Sequence, residues 1–382
     1  MGRLTAALVR ILDDFALAEE IVQDTLVVAL ERWPLDGIPE RPGAWLLTVA
    51  RRRALNHLSR DARYRAKLAQ MEQPMPGERD ERVRLLFTCC HPALSRPAQI
   101  ALTLRTICGF TTAQIAHAFL AKESAVAQRL VRARRKIVVA HIPYRMPTEE
   151  DMEERLREVL AVLYVMFTEG YLTSAGPEPT RRDLTTDAAW LASLVAEHVD
   201  FEPEPLGLLA LMRLHLARSR ARFTRSGELI LLQNQNRTLW DQAMIRESIT
   251  LIERAAALRR PGPYQVEAAI VACHAEAATW NATDWQQIVL LYDLLWQLKP
   301  SPVVRLNRAV ALRYAVGPEA ALEEVNTLAG ELEHYHLFHA IRGELFLELS
   351  QREQARASTL RALELTDNSA EQSLLTRRLL EW

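Results

Sequence analysis

"GFTTAQIAHAFLAKESAVAQRLVRARRKI", residues Gly109 to Ile137, decides how the chain is to be read. Apolar residues fall at helical spacing on both sides of a short polar break, with Ile115, Ala116 and Phe119 before it and Val126, Leu130, Ala133 and Ile137 after it. Two helices joined by a tight turn are predicted, the second beginning near Glu123. Its other face carries Glu123, Ser124, Ala125, Gln128, Arg129, Arg132 and Arg135. Glutamine and arginine reach base edges with paired hydrogen bonds, and serine and arginine bind phosphate, so these are the residue types of a DNA-reading helix. Arg129, Arg132, Arg134, Arg135 and Lys136 crowd into eight residues with no acid among them. Such a cluster repels itself unless a polyanion is present. A solvated amphipathic helix pair is the competing reading at this point. The turn, Phe119-Leu120-Ala121, has no glycine, which is tolerable if none of its residues needs a positive φ.

Charge extends the reading to the whole chain. Its 382 residues hold 47 bases and 48 acids, but residues 1–146 hold 23 bases against 14 acids, so the front carries +9 and the remainder −10. A basic front joined to an acidic back is expected if only the front meets a polyanion. The length suits two or three domains. Glycine is scarce, at 13, while Ala, Leu, Arg and Glu dominate, which predicts an all-α fold. The four cysteines are too few for a disulfide scaffold and fit a reduced, cytoplasmic protein. No export signal is visible, and the longest uncharged apolar run, Val159 to Phe167, is a core helix, far short of the roughly 20 residues a membrane span needs.

The front divides again by charge. Residues 11–40 carry Asp13, Asp14, Glu19, Glu20, Asp24, Glu31, Asp36 and Glu40 against Arg32, whereas residues 44–67 carry Arg51, Arg52, Arg53, Arg60, Arg63, Arg65 and Lys67 against Asp61. Both segments have helical periodicity: Ala18, Ile21, Leu26, Val28, Ala29 and Leu30 form an apolar stripe in the first, and Trp45, Leu46, Val49 and Leu55 in the second. "PLDGIPERPG", residues 34–43, reads as the loop between them, and residues 68–80, with "QPMPGER", as a linker. In the last third, Ala309, Leu312 and Ala321 recur 34 positions later as Gly343, Phe346 and Ala355, the period of tetratricopeptide-type hairpins. "YQVEAAIVACHAEA" with "DWQQIVLLYDLLWQL" reads as an earlier, less regular hairpin.

"LAEEIVQDTLVVALERW", a loop, "RPGAWLLTVARRRALNHLSRDAR", a linker and the opening stretch, in that order, resemble a bacterial sigma factor of the extracytoplasmic-function class within the sigma-70 family. "RVRLLFTCCHPAL", "AVLYVMFTEGY" and "RPGPYQVEAAIVACHAEA" further resemble the subgroup with a long, tetratricopeptide-like C-terminal extension. The resemblance implies sigma region 2 at 1–67, the linker at 68–80, a region 4 helix-turn-helix at 81–143 and a helical regulatory domain at 150–382. It implies core RNA polymerase as a partner, through its β′ coiled coil and β flap, with Glu19, Glu20, Gln23 and Asp24 on the β′ side. It implies promoter DNA as the other partner. Arg51, Arg52, Arg53, Asn56, Arg60 and Arg63 would hold the melted minus-10 strand, which needs cations for phosphate and pockets for extruded bases. Glu123, Ser124, Ala125, Gln128, Arg129, Arg132 and Arg135 would read the minus-35 duplex. Trp45 is a candidate stacking plane but, from its place in the stripe, is expected in the core. Members of this class have more residues ahead of the position of Met1, so either the start codon is assigned late or the first region 2 helix is truncated here. The acidic run Glu149, Glu150, Asp151, Glu153 and Glu154 is a candidate competitor for the basic DNA face, and the extension is alternatively read as contacting polymerase or another protein.

Nothing in the sequence favours an enzyme. Cys89-Cys90-His91 lacks a Cys-x-x-Cys spacing and a second ligand pair, so a buried structural pair is expected. Cys273, His274 and Glu276, and likewise His334, His336 and His339, do not share one helix face in a way that makes a metal site. No phosphate-binding glycine loop occurs, and no cofactor or metal is implied. Two other functions remain open at this stage: an operator-binding regulator with a tetratricopeptide sensor, and a helical adaptor whose basic front is incidental. The charge-reversed pair at 11–67 argues against the first, and salt-dependent DNA affinity separates the second.

Overall fold

The computed structural model describes residues 2–12, 14–119 apart from 59–80, 121–171, and 182–381 apart from 226. All regular elements among them are helical, apart from an isolated bridge between Phe223 and Leu229. The chain forms two compact units, Met1–Met166 and Phe167–Trp382. The expected boundary at 150 thus falls inside one helix, and the expected linker at 68–80 lies outside the described residues.

The first unit begins with α1 (Gly2–Leu12), α2 (Phe15–Asp36) and α3 (Pro42–Leu58), which pack on one another. Helix α1 buries Ala6, Leu8, Val9 and Leu12, so it supplies a core face. Helix α2 runs through Pro34 to Asp36, narrowing the expected 34–43 loop. A proline in a final turn forfeits one backbone hydrogen bond where the helix is ending anyway. The stripe read along α2 is only partly core. Ala18, Ile21 and Ala29 are buried, whereas Leu30 is 75 % exposed, because α1 and α3 cover just one side of the helix. Trp45 meets Trp33 edge-on, with centroids 5.6 Å apart, and serves packing.

Next come α4 (Glu81–Cys89), α5 (Arg96–Thr103) continued by a π-helical turn to Cys108, α6 (Thr112–Ala118) and α7 (Glu123–Val139). Gly109 closes the π turn at φ 82°, a left-handed conformation that glycine adopts without steric cost. Cys89 and Cys90 are buried, as expected. Burial pushes the Cys90 thiol up to about 12 and Cys89 upward as well, so both are neutral packing groups. Helix α8 (Glu149–Tyr171) begins in this unit. Its Arg155 donates to the Phe87 carbonyl at 2.6 Å, and its Glu158 accepts from Arg96 at 3.0 Å and Gln99 at 3.1 Å.

The second unit contains α9 (Arg182–His198), α10 (Pro203–Ala217), α11 (Gln242–Ala257), α12 (Pro263–Glu276) and α13 (Trp285–Leu298). Then follow α14 (Pro302–Ala315), α15 (Pro318–Thr327), α16 (Ala329–Leu332), α17 (His336–Glu348), α18 (Arg352–Leu365) and α19 (Ser369–Glu381). The 34-residue repeat corresponds to two helical hairpins, α14–α15 and α17–α18. Ala309, Ala321 and Ala355 are fully buried where paired helices meet. At Gly343 a Cβ would stand 2.6 Å from Thr359 Oγ1 and 3.3 Å from the Ala355 carbonyl. Gly343→Val is therefore expected to force α17 and α18 apart and cost about 1–3 kcal/mol, read as a lower denaturation midpoint.

Two histidines are packed among aromatic rings and arginines inside this unit. His274 stacks on Trp280 at 5.8 Å, and His215 lies 4.9 Å from Tyr171. Burial, then the adjacent Arg218 and Arg237, hold His274 down to about 4. Burial, then Arg218 and Arg222, hold His215 well below its usual value. As pH falls below about 6.5, unfolded histidines take up protons that these two refuse, so the unfolded state gains. The unit is expected to lose about 1.4 kcal/mol per pH unit for His274 alone, about 3 kcal/mol by pH 4. Urea denaturation between pH 7 and pH 4 measures this, and His274→Gln should flatten the profile.

Candidate nucleic-acid interface

The interface is built on α7, and its local fold follows from the sequence around it. Thr111 opens α6 with a capping box: its hydroxyl accepts from the Gln114 amide at 3.1 Å, and the Gln114 side chain accepts from the Thr111 amide at 2.8 Å. Ile115, Ala116 and Ala118 bury the inner face of α6. Phe119, at φ −114°, ends that helix, and Lys122 caps α7 from extended backbone, so the described turn residues need no glycine. Val126, Leu130, Ala133 and Ile137 are buried against α5 and α6, the four residues read as the core face.

The opposite side of α7 is open. Glu123, Ser124, Ala125, Gln128, Arg132 and Arg135 are exposed and Arg129 is half-buried. Gln128 accepts from Arg132 at 3.0 Å, which holds an amide and a guanidinium side by side. A cavity of about 380 Å³ runs beside them, lined by Gln128, Arg129, Arg132 and Lys136 and by Ser95, the N-cap of α5. A helix N-terminus aimed at the same groove as three cations suits a phosphate backbone. Arg129, Arg132, Arg135 and Lys136 have no carboxylate partner among the described residues. Arg134 departs from the cluster: it points inward and pairs with Glu19. The acidic run at the start of α8 makes no ion pair with α7. Its one pairing among the described residues is Glu153 with Arg157 at 3.3 Å.

The other basic residues lie on α3. Arg51 and Arg52 are exposed. Arg53 pairs with Asp24 at 2.7 Å, tying α3 to α2. Arg60 and Arg63 lie outside the described residues, as does the side chain of Asn56. On α2, Glu20 and Asp24 are exposed and Gln23 is half-buried, while Glu19 is only 13 % exposed. Glu19 accepts from Arg105 at 2.8 Å and from Arg134, so one carboxylate joins α2 to the π turn and to α7. Periodicity gave no sign of this long-range contact. It also missed an apolar surface beside the acidic residues, where Val27, Leu30, Leu35 and Ile38 are 52 %, 75 %, 85 % and 72 % exposed. The hint was available in the breadth of the α2 stripe, wider than two neighbouring helices can cover.

Family models agree with this division. Sigma-70 region 2 matches residues 1–64 and sigma-70 region 4 matches residues 84–137, so the second model covers α7 as far as Ile137, including its exposed cations. A family of unknown function, DUF6596, matches residues 155–256. The chain is 41 % identical over 387 aligned positions to a Rhizobium meliloti (strain 1021) protein named "Uncharacterized protein R00370", covering 98 % of this chain and 92 % of that one. The chain belongs to the sigma-70 family. It is a sigma factor of the extracytoplasmic-function type with a C-terminal extension. No solved structure matches it. Sigma factors are non-catalytic subunits for transcription initiation, with core RNA polymerase and promoter DNA as partners. No helix among the described residues is long and apolar enough to cross a membrane.

Proposed function

We propose that this sigma factor reads a minus-35 duplex through the exposed face of α7 and a melted minus-10 strand through α3. The observation that carries the proposal is the set Arg129, Arg132 and Lys136, without a carboxylate partner among the described residues, along a groove that also holds Gln128 and the N-terminus of α5, with Arg135 exposed on the same helix. Gln128 and Arg132 read base edges, while Arg129, Arg135 and Lys136 hold phosphates. Arg51 and Arg52 contact the single strand, and Asn56, Arg60 and Arg63 extend that contact along the same segment. The polymerase β′ coiled coil meets Glu20, Gln23 and Asp24, with the exposed Val27 and Leu30 providing apolar area, and region 4 meets the β flap.

Engagement of both elements requires the Glu19 contact to release. Sites about 25 base pairs apart lie on the order of 80 Å apart along a duplex at 3.4 Å per base pair. A carboxylate touching Arg105 and Arg134 cannot persist while regions 2 and 4 occupy both. The C-terminal unit regulates this opening through α8, whose Arg155 and Glu158 are fastened to α4 and α5. Run-off transcription with purified sigma-free core polymerase on promoters near the gene tests the reading. Core-dependent, site-specific transcripts are expected. Salt-sensitive duplex binding without any transcript would instead favour an operator-binding regulator.

A further inference from the structure

Buried arginines ordinarily face carboxylates, because an unpaired charge out of water is costly. Among the described residues of the second unit, a group of them does not. Arg218 and Arg222 flank the short turn Ser219–Ala221 after α10 and are 8 % and 7 % exposed. The Arg222 guanidinium lies 3.4 Å from the centroid of the Tyr171 ring and donates to the Tyr171 carbonyl at 2.6 Å. Arg218 donates to the Tyr171 hydroxyl at 3.1 Å and meets His215 Nδ1 at 3.2 Å. Arg237 donates to the carbonyls of His274 and Ala277 and lies over Trp240. Every one of these partners is neutral. Arg218 Nε and Arg237 Nη2 are buried with no hydrogen-bond partner among the described residues. Burial, with Arg218 adding to it, brings Arg222 down to about 10, and no carboxylate offsets that.

Beside Arg222 opens a cavity of about 200 Å³, lined by Gly170, Thr185, Thr186, Ser219, Arg220 and Arg222. Two arginines and three hydroxyl-bearing residues line it. That donor set matches a tetrahedral oxyanion, since a planar guanidinium offers parallel donors to two oxygens and hydroxyls serve the remainder. The volume lies below the roughly 300 Å³ at which pockets begin to take drug-sized ligands, which excludes a nucleotide. We infer that this cavity is an oxyanion-binding site of the C-terminal unit, taking a phosphate group, free or at the end of a small metabolite. The bound anion supplies the opposite charge that Arg222 lacks among its described partners. Because Tyr171 ends α8, occupancy bears on the helix that begins against region 4.

The test uses the full chain. Titration calorimetry and thermal unfolding are run with inorganic phosphate, with glycerol phosphate, and with chloride at matched ionic strength. Saturable binding and stabilisation by a phosphate species, absent with chloride, are expected. Arg220→Gln removes one exposed lining guanidinium without disturbing the core and should weaken binding roughly tenfold. Arg222→Lys keeps the charge, loses the planar fork and should weaken it further, while Arg225→Gln, outside the cavity, should change nothing. If Arg222→Lys fails to fold, Arg220→Gln decides alone. Tighter binding of glycerol phosphate assigns a phosphorylated metabolite, and equal binding assigns the free oxyanion. Stabilisation that does not saturate, or that is equal in Arg220→Gln and the parent chain, is general salting-out and overturns the site.

Discussion

The double variant Arg132→Glu/Arg135→Glu is expected to abolish specific promoter binding while leaving the helix pair folded. Both side chains are exposed on α7, and the one hydrogen bond affected is the contact between Arg132 and Gln128. The residues that hold α7 in place, Val126, Leu130, Ala133 and Ile137, are untouched. Each lost base or phosphate contact costs about 1–3 kcal/mol, and reversed charge adds repulsion, so affinity should fall by roughly two to four orders of magnitude. The salt dependence should flatten as well, by about 0.9 in the log–log slope for each phosphate contact removed. Fluorescence anisotropy of the holoenzyme on a minus-35 duplex, across a salt series, measures both. Parental affinity and slope in the double variant, with unchanged circular dichroism, would remove α7 from the DNA interface.

How much of this was legible in the sequence depends on the range of the contact. The α7 faces were fully readable, because a 3.6-residue period sorts buried Val126, Leu130, Ala133 and Ile137 from exposed Gln128 and Arg132 within one element. The hairpins of the last third were readable for a similar reason, since Ala309 and Ala321, with Gly343 and Ala355, are small where paired helices approach. Leu30 belongs to the apolar stripe of α2 yet is exposed. Periodicity shows which face of α2 is apolar but not how much of it neighbouring helices cover. Arg134 and Glu19 illustrate the same limit. Their spacing along the chain carries no period, and only tertiary structure shows that one cation of a basic run is committed to an acid on another helix. The unpaired Arg218, Arg222 and Arg237 were invisible for the converse reason. Acids are abundant in the C-terminal unit, so charge counting gives no warning that these three lack one among the described residues.

Breaking the contact at Glu19 from its two ends is expected to have unequal effects on stability and on polymerase binding. Glu19→Ala leaves Arg105 and Arg134 facing each other across a half-buried site, both 24 % exposed, with their acceptor gone. That should destabilise the first unit by about 2–4 kcal/mol, less than the loss from a fully buried pair because water reaches part of the site. Arg134→Ala removes only one of the two donors, and Arg105 still holds Glu19 at 2.8 Å, so its cost should be smaller, about 1–2 kcal/mol. A double-mutant cycle on Glu19 and Arg134 should return a coupling above about 1 kcal/mol. For polymerase, the two variants part company. Arg134→Ala loosens region 4 from α2 while keeping every acid of the proposed docking surface, so core affinity should rise. Glu19→Ala loosens the same contact but also destabilises the unit that carries Glu20, Gln23 and Asp24, so any gain from opening is offset. Core-binding titrations of both variants decide the matter. A fall in affinity for Arg134→Ala would mean that the contact helps to present α2 to polymerase, and a coupling near zero would mean that Glu19 does not hold the two regions together.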